Sequence, residues 1–165
     1  MKPVYHVLMS SIVILALFCT LFFTSCSNSG CTLNCQNGGS CYNGACICPT
    51  GYEGVNCQTL SRDKFVSYFT GADSCTGRID SNSYAIKLLA YSSNLQMVME
   101  NFLNNPNDSA VCTITSTQTF QFQGNNHGTS YLGKGTLSKD NDTLTLTYTV
   151  AVDTSHYSCK FIGIR

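Results

Sequence analysis

The sequence predicts a mainly β protein: a small disulfide-rich module followed by an antiparallel β meander, closed as a barrel or folded as a sandwich. Three observations carry this. Six of the 11 cysteines fall within residues 31–57. The stretch TLTLTYTVAV at 143–152 alternates large apolar with small or polar positions, the period of a strand with one buried and one wet face. Short apolar runs separated by turn-forming residues recur through the rest of the chain, which favours consecutive hairpins. Charged residues make up 11% of the chain, against roughly 25% in a typical soluble domain. Ser, Thr, Asn and Gly take their place, there is no Trp, and the formal net charge is zero. Abundant cysteine with little charge points to an exported protein rather than a cytosolic enzyme. With no basic stripe to collect phosphates, nucleic-acid binding is not expected.

The first element, residues 1–25, reads as an export segment. Lys2 supplies an early positive charge, Ile12 to Phe23 is mostly apolar, and Thr24 and Ser25 are small. That order describes a secretory signal. An uncleaved single span over Val4 to Phe23 is the alternative, since this stretch is long enough to cross about 30 Å of hydrocarbon; His6, Ser10 and Ser11 weaken it. The exit FFTSC resembles a bacterial lipobox, with Phe23 where Leu is more usual, Thr24 and Ser25 at the small positions and Cys26 at the lipidated one. The resemblance implies a diacylglyceryl group on the Cys26 thiol, an acylated amino terminus and a protein held on a membrane. Each buried methylene contributes about 0.8 kcal/mol, so two or more chains anchor stably. Cleavage after Ser25 without acylation is the rival reading. Residues 26–30 then form a short lipidated linker.

The second element, residues 31–57, carries cysteines in the pattern C-x3-C-x5-C-x4-C-x-C-x8-C. So short a segment with few aliphatic side chains cannot fold on a core alone, and covalent staples must substitute. Six cysteines permit fifteen pairings, and spacing alone does not choose among them. The segment resembles an epidermal growth factor (EGF)-like domain: Cys46, Cys48, Gly51, Tyr52, Gly54 and Cys57 match its ending, and Asn37 to Gly39 precede the third cysteine as they often do there. The resemblance implies the pairs Cys31–Cys41, Cys35–Cys46 and Cys48–Cys57. Calcium-binding members carry acidic residues before the first cysteine. Here SNSG precedes Cys31 and Glu53 is the lone carboxylate of the module, so calcium is not expected. Zinc at Cys46 and Cys48 is disfavoured by the one-residue spacing and the oxidising compartment. Ser40 falls where some animal EGF domains are O-fucosylated, a match read as incidental beside a bacterial signal.

Residues 58–64 read as a polar linker, with one helical turn conceivable in SRDKFVSYF. From 65 to 165 the strand candidates are FVSYFT, YAIKLLAY, NLQMVME, AVCTI, TFQFQ, SYLGKGTL, TLTLTYTVAV and HYSCKFIGI. Turn-rich pieces such as TGRIDSNS, NNPNDS, QGNNHG and SKDND separate them. In a closed meander the first and last strands are neighbours, so Cys75 is expected to reach Cys159, leaving Cys112 as a buried free thiol.

Catalytic patterns are scarce. DTSH at 153–156 cannot form a triad from adjacent residues; Asp140 and Asp142 flank a turn; His127 and His156 read as surface histidines. An enzyme would need a convergence such as His156, Asp153 and Glu100. No metal or cofactor is expected. NDS at Asn107 and NDT at Asn141 fit N-glycosylation in a eukaryotic secreted protein; DSA and DTL resemble a bacterial O-glycosylation pattern with Ser109 and Thr143 as acceptors. The whole order resembles small surface lipoproteins of Bacteroidetes-type bacteria. It implies a lipid-anchored envelope protein of the outer membrane, periplasmic or surface-facing, with a non-enzymatic binding or adhesion role toward protein or glycan. The alternative is a lipocalin-like barrel holding a small apolar ligand in a cavity of roughly 300 Å³ or more.

Overall fold

The computed structural model describes residues 32–77, 82–126 and 128–165. The segment expected to direct export, Cys26 as the expected lipidation position, Cys31 with its expected bridge to Cys41, and His127 lie outside the described residues. Among the described residues no helix is long and apolar enough to cross a membrane.

In the N-terminal module, β1 (Ser40–Tyr42) pairs antiparallel with β2 (Ala45–Ile47). Asn43 and Gly44 join them with φ of 48° and 81°, the left-handed pair that a two-residue hairpin turn demands. β3 (Tyr52–Glu53) pairs with β4 (Thr59–Leu60). Disulfides join Cys35 to Cys46 and Cys48 to Cys57, and Cys41 is disulfide-bonded as well. Most module side chains are exposed or half-exposed, so staples rather than a core hold it.

Residues 58–64 are not a free linker. They supply β4 and a 3-10 turn, Ser61–Lys64, that seats the module on the second domain. A polar composition hid this because the ordering comes from partners distant in sequence: Ser61 N–H donates to the Gly51 carbonyl at 2.9 Å, and Lys64 pairs with Glu53 at 2.7 Å.

The second domain contains β5 (Ser67–Cys75), β6 (Tyr84–Ala90), β7 (Gln96–Glu100), β8 (Ser109–Ser116), β9 (Thr119–Asn126), β10 (Thr129–Leu137), β11 (Thr143–Val152) and β12 (Ser155–Ile164). Each pairs antiparallel with the next, and β12 pairs back with β5. The result is a closed eight-stranded up-and-down barrel, not a sandwich. Closure leaves no free strand edge. It also demands close approach at the seam: a Cβ on Gly71 would stand 1.9 Å from the Ile162 carbonyl oxygen, so only glycine fits there.

The alternation of β11 sorts its faces. Leu144, Leu146, Tyr148 and Val150 are buried. Their threonine neighbours face outward or are half-buried. The interior is filled largely by rings: Phe65, Phe69, Phe102, Phe120, Phe122 and Phe161 are almost fully buried. Phe102, from the β7–β8 connection, lies with its ring centre 4.9 Å from those of Tyr131 and Tyr148.

The two ends of the barrel differ. At one, Phe65 plugs the interior edge-on to Phe120, with ring centres 5.5 Å apart. The module packs there: Arg62 Nη1 donates to the Ser93 carbonyl at 2.7 Å, and Asn94 Nδ2 donates to Tyr52 Oη at 2.9 Å. A Cβ on Gly51, whose φ is +94°, would meet Leu95 Cδ2 at 2.3 Å. Gly51 and Tyr52, the signature residues of the module, thus also touch the β6–β7 turn. Among the described residues, the opposite end, where β5 finishes and β6 begins, is open.

Candidate functional site

The open end holds a cup of about 280 Å³. One wall comes from the ends of β11 and β12, with Val150, Val152 and Tyr157, and from the Cys75–Cys159 disulfide. The facing wall comes from Tyr84 and from Leu103 and Asn104 of the β7–β8 connection. That connection folds back tightly, with Asn101, Leu103 and Asn104 all at positive φ. For leucine this conformation carries a steric cost of about 1–2 kcal/mol, and the burial of Phe102 beneath it holds the turn in place.

Asp73 stands in this cup, half-buried. Tyr84 donates its hydroxyl to Asp73 Oδ2 and Tyr148 donates to Oδ1, each at 2.5 Å. Burial, and then the hydrogen bond and negative charge of Asp73, push both tyrosines well above the usual phenol range. They therefore remain protonated donors at any physiological pH. Among the described residues no Lys, Arg or His lies within ion-pair distance of Asp73. Nearby, Tyr131 donates to the Ser109 carbonyl at 2.9 Å, and its hydroxyl is also shifted upward, first by burial and then by Asp108.

The geometry separates most of the residues singled out in the sequence. Cys75 and Cys159 are joined in one wall of the cup. Cys112 is a free, buried thiol on β8, raised in pKa by burial and turned toward the core. Glu100 sits on β7 beside Lys87 at 3.6 Å, whereas Asp153 and His156 are exposed at the β11–β12 turn. The three acid–base candidates are not gathered. Asp140 organises the β10–β11 turn, accepting from the Ser138 hydroxyl. Ser109 is exposed at the start of β8 and Thr143 half-buried at the start of β11. Among the described residues no group of three or more metal-ligating side chains occurs.

The barrel centre is closed to a lipocalin-like apolar ligand, because packed rings occupy it. The available space lies at the mouth and carries a carboxylate.

Sequence reading missed Asp73, since TGADSC has the composition of a turn. A usable signal was present: Phe69, Gly71, Asp73 and Cys75 continue one period-two face. That face is the one whose Phe69 enters the core.

Comparison with known proteins adds two short similarities. The chain is 49% identical over 37 residues to the Caenorhabditis elegans protein described as putative protein tag-53, a match covering 22% of this chain and 3% of that protein. It is 41% identical over 58 residues to Homo sapiens netrin-G1, covering 34% of this chain and 10% of that protein. The chain thus spans a small fraction of either. No family model matches the chain, and no solved structure does. These matches and the disulfide-rich N-terminal region fit an EGF-like module joined to a β-barrel.

Proposed function

We propose that this is a lipid-anchored, non-enzymatic binding protein of the bacterial envelope, placed at the outer membrane, whose ligand site is the open mouth of the barrel. The observation that supports this is the polarity of the molecule. The module packs at the plugged end, and the cup opens at the other. An anchor on Cys26 leaves only SNSG before the module, so the module stands against the bilayer and the cup faces away from it. The reading as a binder follows from the cup itself: it encloses space and presents a fixed charge, while the acid–base candidates Glu100, Asp153 and His156 stand apart.

Two measurements test it. Intact-mass spectrometry of membrane-extracted protein is expected to show a chain beginning at Cys26 and carrying acyl groups; an unacylated chain removes the anchor. Ligand-observed NMR against a fragment library is expected to give hits that disappear in Val152→Trp, where the indole fills the mouth. Hits indifferent to that change would place binding elsewhere.

A further inference from the structure

We infer that the mouth of the barrel recognises a small organic ammonium ion, with Asp73 as its counter-charge and Tyr157, Val150 and Leu103 as the apolar contact for its carbon skeleton. This rests on the reading of the cup as a binding site and adds the chemical class of its ligand.

The inference comes from the inventory of donors and acceptors. An ionised carboxylate accepts only, with about four lone-pair directions. Tyr84 and Tyr148 occupy one direction on each oxygen, and each spends its single O–H in doing so. What Asp73 then offers the cup is negative charge and unspent lone pairs, without a proton to donate, while the Tyr84 oxygen is already met by the Leu103 backbone N–H. A carboxylate or phosphate ligand would meet repulsion here, and a neutral alcohol could satisfy few of the acceptors. An ammonium group brings positive charge and up to three donors, the complement of this set. The two tyrosines also fix the carboxylate in place, so little ordering remains to be done on binding.

The surroundings select against a bare metal ion. Calcium takes six to eight oxygen ligands, and among the described residues Asp73 is not part of a cluster of three or more metal-ligating side chains. The remaining walls are Val150, Val152, Leu103, Tyr157 and the Cys75–Cys159 bridge, with Asn82, Asn104 and Thr129 adding neutral amide and hydroxyl groups that carry no charge to compete with Asp73 for a cation. An aromatic face also favours a cation by about 0.5–1 kcal/mol or more when desolvated. At about 280 Å³ the cup lies at the lower edge of the range of roughly 300–1,000 Å³ that holds drug-sized ligands. Its ligand is therefore a compact amine rather than a polymer.

The test is isothermal titration calorimetry of the purified protein with phenethylamine, and in parallel with 2-phenylethanol, which has the same skeleton without the charge. Phenethylamine is expected to bind saturably below ~1 mM, with 2-phenylethanol at least tenfold weaker. Asp73→Asn is expected to lose at least tenfold in amine affinity and little in alcohol affinity, and Val152→Trp to lose both ligands. Equal affinity for the two ligands in the unaltered protein overturns the ammonium inference; if Val152→Trp still abolishes both, the mouth remains a binding site. Amine binding that survives Val152→Trp overturns the location. No binding of either ligand overturns the inference, and with fragment hits also indifferent to Val152→Trp the mouth reading fails too. The amine-to-alcohol ratio needs no variant, so the result stands even if Asp73→Asn folds poorly.

Discussion

The two ends of the barrel are built from the same eight strands and solve opposite problems. At the plugged end, Phe65 fills the interior, the module covers the strand ends, and polar groups are matched across the junction by Arg62, Asn94 and Lys64. At the mouth, one loop doubles back through three left-handed residues, space is left open, and a carboxylate is held by two tyrosines without a cation among the described residues. The plugged end resembles what a barrel needs to stay folded. The mouth contains what stability alone would remove: an open cavity, a leucine in a costly conformation and a charge drawn partly out of water. Features of that kind concentrate where a fold does work.

This contrast can be broken most severely at the plug. Phe65→Ala is expected to destabilise by about 3–5 kcal/mol, the cost of a large cavity in a packed core, measured by chemical denaturation. It should leave ligand binding at the mouth unchanged under conditions where the protein remains folded. Replacing Cys75 and Cys159 together by serine removes a bridge across 84 residues of sequence and should cost about 2–4 kcal/mol through the freed unfolded chain. Because that bridge also forms one wall of the cup, this variant should weaken ligand binding as well, which Phe65→Ala does not.

Tyr148→Phe sharpens the comparison at the mouth. It deletes one of two charge-assisted hydrogen bonds to Asp73, and the expected loss is about 1.5–3 kcal/mol. A loss below about 0.5 kcal/mol would show that Asp73 is not held as described.

The pH dependence carries a further expectation. Tyr84, Tyr131 and Tyr148 all titrate above the ordinary phenol value of 10.0 in the folded protein. The unfolded chain therefore releases these protons first as pH rises. Their contribution is fully present below pH 10 and declines above it, by at most about 1.4 kcal/mol per group for each pH unit. Denaturation midpoints measured from pH 8 to 11 should be flat and then fall. Tyr148→Phe should make the fall shallower. The smallest effect belongs to the outer wall: Lys87→Ala breaks an exposed pair with Glu100 and should change stability by no more than about 1 kcal/mol, with no effect on binding.

How much of this was legible differs between the two ends. The eight apolar runs correspond to eight strands because period-two alternation is a local property, and TLTLTYTVAV displays it fully. The first run continues beyond FVSYFT: β5 extends through Gly71 and Asp73 to Cys75. Glycine and aspartate signal turns locally, yet here one permits the β5–β12 approach and the other accepts tyrosine hydroxyls from positions 11 and 75 residues away. The docking of the module was hidden for a related reason, since Ser61 and Lys64 owe their order to Gly51 and Glu53. Seven-residue polar stretches read as linkers unless their partners are known. The site was harder to read than the fold because it is an assembly of single residues contributed by separate strands.

The central claim is that ligand engages the mouth and not the module or the outer wall. The most direct measurement is amide chemical-shift mapping of the isotopically labelled protein during titration with phenethylamine. The account predicts saturable shifts confined to residues around the cup, Asp73, Tyr84, Leu103, Val150 and Tyr157, with Phe65, Leu95 and the module unmoved. Shifts centred on the module or on the threonine face of β11, or no shifts at all, would contradict it.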